Sequence, residues 1–256
     1  MPPLTIACRV ASYGDYQDKA WAHLPSIGIT NVEVPVPAAS EYDALRNRLA
    51  DHGLTVTTFQ GKCDIAQADA VDVMRPQIDA CAAFGVPICF LSVKAGEADR
   101  KEVYVRLRQI GALAAEQNIT IALETHPDLV TNGVLGAETM AAVNHPNVTI
   151  NFDTANVYFY NEGATADGEL VKMIDHVGAV HLKDTNGGYK EWHFPVLGTG
   201  VVDFPKVFEM MGERGFTGPY TMELEGIEGV EMDEAARLQY IADSVAYLRK
   251  LGMLGT

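Results

Sequence analysis

Ile121-Ala122-Leu123-Glu124-Thr125-His126 is a short apolar run that ends on a side chain able to ligate a metal. Three later stretches repeat that form: Ile150-Asn151-Phe152-Asp153-Thr154, Val180-His181-Leu182-Lys183-Asp184 and Thr221-Met222-Glu223-Leu224-Glu225. Glu124 and Asp153 lie 29 residues apart and Asp153 and His181 28 apart, the length of one strand-helix repeat. The 42 residues from His181 to Glu223 leave room for an extra glycine-rich loop at 187–200.

Outward from these four, further β-rich runs alternate with longer helical stretches. The strand expectations are 5–11, 31–36, 55–60, 87–93, 120–125, 148–154, 179–184 and 220–225, eight in a chain of 256 residues. Helices are expected after a Ser40 cap up to Gly53, from Asp69 to Gly85 with a kink at Pro76, and from Glu97 to Glu116. Two more run from the Asp203 cap to Gly215 and from Asp233 to Lys250. A parallel strand pair needs a crossover of about this length, and eight repeats of it predict a single (β/α)8 (TIM) barrel spanning 1–256. A doubly wound open sheet is the competitor, but no GxGxxG follows the first strand.

Composition narrows the partners. Nineteen basic against 34 acidic residues give a net charge of −15, which repels nucleic acid and anionic membranes alike. Mean hydropathy is +0.01, and no apolar run is long enough to span a bilayer. With no signal-peptide pattern at the start, a cytoplasmic protein is expected. Cys8, Cys63, Cys81 and Cys89 form no CxxC pair and read as reduced thiols.

Alternation along a strand sharpens the site. Leu123, Phe152, Leu182 and Leu224 should pack outward against helices, which points Glu124, Asp153, His181 and Glu223 into the barrel mouth. Barrel enzymes place their catalytic groups there. Three converging carboxylates repel one another without a cation between them. The set suits one divalent ion of the Mn, Mg, Co or Zn type, with positions left for substrate oxygens. Glu225 shares the parity of Glu223 and competes for its role. His126 and Lys183 lie one step further out, either against substrate or on the exposed rim. Asn156 could meet substrate or cap the following loop, and Trp192 and His193 could lid the site or simply pack. Arg9, Glu33, Gln60, Lys62 and Lys94, at the ends of the first four strands, are expected to contribute to specificity without an assigned part.

The stretches ALETHP (122–127), NFDTANV (151–157), HLKDT (181–185), LGTGVVDF (197–204) and GPYTMELEG (218–226) resemble the xylose-isomerase-like superfamily of sugar-phosphate isomerases and epimerases. The likeness is to the branch with hydroxypyruvate isomerase, ketose 3-epimerases and inosose dehydratase. It implies that Glu124, Asp153, His181 and Glu223 bind one metal and that Glu124 and Glu223 are the acid and base. Proton transfer through an enediolate then gives isomerisation or epimerisation of a small sugar or polyol ketone. The alternative is dehydration of an inosose-like substrate. A homodimer or homotetramer is also implied. Ketose 3-epimerases carry a histidine where this chain has Asn156 and an arginine where it has Gly187. Endonuclease IV shares the barrel, but its zinc cluster and DNA face do not suit a charge of −15 with few histidines.

Overall fold

The computed structural model describes residues 4–254. Eight parallel strands close into a barrel: β1 (Thr5–Arg9), β2 (Asn31–Pro35), β3 (Thr55–Gln60), β4 (Ile88–Leu91), β5 (Thr120–Glu124), β6 (Val148–Asp153), β7 (Val177–Leu182) and β9 (Pro219–Met222). The intervening β8 (His193–Phe194) pairs antiparallel with β10 (Gly226–Ile227), forming a ribbon outside the barrel. The helices are α1 (Gln17–Ser26), α2 (Tyr42–His52), α3 (Ala70–Phe84), α4 (Arg100–Glu116), α5 (Gly133–Val143), α6 (Asn156–Tyr160), α7 (Ala166–Met173), α8 (Phe204–Glu213) and α9 (Glu234–Lys250).

All eight expected strands are present, several ending earlier than expected. After Arg9 the chain turns into a 3-10 segment, so Val10 and Ala11 leave the sheet. Lys183, Glu223 and Glu225 likewise stand just beyond the last paired residues of β7 and β9. Ser40 is not a cap. The turn ahead of α2 starts at Ala38, whose N–H donates to the Glu41 carboxylate at 2.8 Å. The fourth helix starts at Arg100, capped by Asp99, which accepts from the Lys101 N–H at 2.9 Å. Asp203 caps α8 as expected, and Asp233, the expected start of the last helix, caps α9.

Alternation sorts the core into two layers. Ile121, Leu123, Ile150, Phe152, Val180, Leu182, Met222 and Leu224 join the large cluster between barrel and helices. Ile88, Phe90, Ala122 and Ala179 form a separate cluster inside the barrel, beneath the charged residues of the mouth. Each fully buried aliphatic side chain of these layers contributes about 1.5–3 kcal/mol over exposure. The register then sets heights: Glu124 pairs with Asn151, Asp153 with His181, and His181 with Thr221. All four cysteines are free thiols, with Cys8, Cys81 and Cys89 buried.

Candidate metal centre

Four strand ends bring Glu124, Asp153, His181 and Glu223 together. All four are buried, and one donor atom from each lies within 4.8 Å of the others. His181 Nδ1 stands 3.2 Å from Glu223 Oε2 and 3.5 Å from Glu124 Oε1. β7, which carries this histidine, lies between the strands that carry the two glutamates. Asp153 Oδ1 accepts the N–H groups of Ala155 at 2.9 Å and Asn156 at 2.8 Å. Its Oδ2 is buried and makes no hydrogen bond, its nearest charged neighbour being the Lys183 ammonium at 3.1 Å.

The opposite wall contributes a residue whose part sequence reasoning did not assign. Glu33 on β2 is fully buried and its Oε2 lies 3.1 Å from His181 Nε2. A carboxylate on the outer nitrogen fixes ring and tautomer, leaving the other nitrogen's lone pair for a cation. Arg9 is ion-paired to both Glu33 and Glu223. The available signal was a charged residue between Val32 and Val34 at inward parity, but its partner is 148 residues away.

Lys183 is not an exposed rim residue, as one expectation allowed. It is only 2% exposed, and its ammonium lies 3.1 Å from Asp153 Oδ2, 2.9 Å from Glu223 Oε2 and 2.8 Å from Glu225 Oε2. Burial alone would lower its pKa, but Asp153, Glu225 and Glu124 outweigh that and push it up. Burial would likewise raise Glu124, yet the His181 hydrogen bond and the charges of His181 and Lys183 hold its carboxyl at about 2. Burial lowers His181, and Glu33 and Glu124 overcome it, raising the imidazole to about 9. Asp153 is raised, chiefly by burial.

The donor set fits a divalent cation. Five carboxylates face the two side-chain cations Arg9 and Lys183 and one histidine, an excess of negative charge in a low-dielectric mouth. Asp153 Oδ2, buried without a hydrogen bond and ion-paired to Lys183, is a position such a cation would satisfy. Three oxygens and one imidazole nitrogen are the donors expected for Mn, Mg, Co or Zn.

A cavity of about 260 Å³ opens above this cluster. Phe159, Tyr160, Trp192 and Phe194 form its aromatic wall, so Trp192 borders the site instead of merely packing in a loop. His126 lines the cavity, its Nδ1 at 2.8 Å from the Pro127 carbonyl and its ring edge-on to Tyr160. Asn156 does not cap the loop that follows it: its amide donates back to the Thr125 carbonyl at 3.0 Å, and the residue lines the cavity. Gly187, at the position of the ketose 3-epimerase arginine, is not a lining residue.

The loop that carries Trp192 is tied down by Asp184. This buried carboxylate accepts from the N–H groups of Thr185, Gly198, Gly200 and Val202 at 2.8–3.2 Å. Gly200 is required by close approach, because a β-carbon there would stand 2.2 Å from the Thr185 carbonyl. The loop glycines thus serve a carboxylate of the protein's own.

A family model described as xylose isomerase-like TIM barrel matches residues 21–251. The chain belongs to the xylose isomerase-like TIM barrel family. Within curated members, it is 30% identical over 200 residues to L-ribulose-5-phosphate 3-epimerase UlaE of Shigella flexneri, covering 75% of this chain and 68% of that one. The Escherichia coli proteins of the same name are 29% identical over the same shares. Among solved structures, D-allulose 3-epimerase from Methylomonas sp. superposes with a TM-score of 0.75 at 17% identity, over 97% of both chains. D-psicose 3-epimerase from Clostridium cellulolyticum gives 0.77 at 14%, over 96% of this chain and 99% of that one. These structural likenesses establish the barrel. Among the described residues, no helix is long and apolar enough to cross a membrane.

Proposed function

We propose that this chain is a divalent-metal-dependent ketose epimerase, with Glu124, Asp153, His181 and Glu223 holding the metal. Glu124 and Glu223 would exchange protons with the substrate carbon beside the carbonyl. The observation that carries this reading is the four-residue cluster, in which two glutamates on separate strands flank His181 Nδ1. When bound, the metal supplies Lewis acidity that draws charge from a carbonyl and its neighbouring hydroxyl and so acidifies the C–H bond between them.

The other side chains divide the remaining work. Asp153 Oδ1 is committed to two backbone N–H groups and His181 Nε2 to Glu33, so neither is free to carry a proton. In this reading Glu124 and Glu223 take a proton from carbon and return one to the opposite face, which inverts the centre. Lys183 and Glu225 form an ion pair at the cavity edge, placed to meet substrate oxygens, as are His126 and Asn156. The aromatic wall offers an apolar face to the sugar's C–H groups and limits water at the reacting carbon. Inversion is favoured over aldose–ketose exchange and over dehydration because the curated relatives above are named 3-epimerases.

The test is turnover of ketoses by protein stripped with a chelator and reloaded with Mn, Co, Mg or Zn, followed by NMR in deuterated water. Loss on stripping, recovery on reloading and deuterium at the inverted carbon are expected. Full turnover without metal, or a product lighter by one water, would refute it.

A further inference from the structure

A second lobe of about 220 Å³ adjoins the cavity over the metal cluster, and Arg9, Trp192, Glu223 and Glu225 line both. Its far wall is formed by Ser12, Gly14 and Arg237. Charge is distributed unequally between the lobes. The carboxylates that reach the second one are already paired, Glu223 with Arg9 and Lys183, and Glu225 with Lys183. Arg237 has no carboxylate within 4.0 Å among the described residues. Its guanidinium is held by the Ser12 carbonyl, which accepts from Nη1 at 3.4 Å, and lies over the Tyr240 ring at 5.5 Å. Glycines leave its face uncovered: a β-carbon at Gly14 would stand 3.8 Å from Nη2 and one at Gly226 3.7 Å from Nη1. The Ser12 hydroxyl accepts from the Leu224 N–H at 2.9 Å, which leaves its own proton to donate.

We infer that this lobe is an anion subsite for the terminal phosphate of a phosphorylated ketose, with Arg237 as its binding residue. The inference rests on the epimerase reading for the end of the substrate that meets the metal cluster. A chain of net charge −15 repels a phosphate dianion at long range, so binding one requires a local unpaired cation. Arg237 is such a cation, and a guanidinium forms paired hydrogen bonds to phosphate oxygens where an ammonium cannot. The shared walls place the two ends of one extended molecule in the two lobes.

The test has a binding arm and a kinetic arm. Inorganic phosphate is titrated into wild type, Arg237→Gln and Arg237→Lys while tryptophan fluorescence is followed, with Trp192→Phe identifying the responding residue. Phosphate should perturb Trp192, bind at least about tenfold more weakly to Arg237→Gln, and be partly restored in Arg237→Lys. In the kinetic arm L-ribulose 5-phosphate and L-ribulose are compared. Wild type should favour the phosphorylated ketose by about 30-fold or more in kcat/KM, and Arg237→Gln should erase that preference while changing L-ribulose turnover less than about threefold. Equal phosphate binding by wild type and Arg237→Gln, or acetate binding as tightly as phosphate, would overturn the subsite. Arg237-dependent phosphate binding without turnover of any ketose would uphold the subsite and sink the epimerase reading. Equal turnover of the two ribuloses by wild type would do the reverse.

Discussion

Removing the Lys183 ammonium should damage the metal-free protein far more than the metal-loaded one. Its Nζ lies 2.8–3.1 Å from oxygens of Asp153, Glu223 and Glu225. At an effective dielectric of 20, each contact is worth about 5–6 kcal/mol in bare Coulomb attraction. Desolvation of the ammonium takes back much of that, and deleting one partner of a buried ion pair costs about 3–5 kcal/mol net. For a chain of this size 1 kcal/mol moves the melting temperature by about 2–4 °C. Lys183→Met stripped of metal should therefore melt about 6–20 °C below stripped wild type. A divalent ion neutralises the same carboxylates, so saturating Mn should narrow the gap. Scanning calorimetry of both proteins, with and without Mn, measures it. Lys206→Met, which breaks only an exposed pair with Glu209, serves as the control. A stripped Lys183→Met melting within 2 °C of wild type would show that the ammonium does not hold the carboxylates together.

Glu33→Gln should weaken metal binding by about 10–100-fold with the fold intact, measured by calorimetric titration, because it loosens the grip on His181 Nε2. Glu124→Gln and Glu223→Gln should each lower kcat by at least about 100-fold; turnover near wild type in either would remove that residue from proton transfer. Asp184→Asn replaces an accepting carboxylate oxygen with an amide NH2 group facing backbone N–H groups, at a cost of about 3 kcal/mol. Limited proteolysis should then cut within 186–201, and an uncut loop would refute Asp184 as its anchor. The His23 imidazole, hydrogen-bonded to the Tyr13 hydroxyl at 2.7 Å, is lowered by burial. Its stabilising contribution is complete above the unfolded value of about 6.5 and is lost as pH falls through the folded one. Melting temperature should drop less between pH 6.5 and 5 in His23→Gln, and identical slopes would contradict the shift.

Local pattern revealed the barrel because each strand carries its own period. Ala122 and Glu124 point inward and Leu123 outward, and no distant residue is needed to see it. The four-residue cluster was legible for the same reason, each member being the inward residue at a strand's end. What stayed hidden depends on closure. Glu33 meets His181 only when β2 and β7 face each other across the barrel, and the Asp184 anchor needs the chain to fold back from Gly198 to Val202. The ribbon of β8 and β10 is two residues per strand, too short to show any alternation. Lys183 was ambiguous because it stands past the end of β7, where parity no longer dictates burial.

That small ribbon has a bearing on how the protein could change. By joining Phe194 to Gly226 and His193 to Ile227, it harnesses the excursion after the seventh barrel strand to the one after the eighth. Neither excursion can be exchanged, lengthened or re-aimed alone, since a shift in one drags the aromatic wall or the acidic tip of the other. New substrate preferences should therefore arise from paired alterations in these two segments, whereas the mouth segments outside the ribbon remain open to change one at a time.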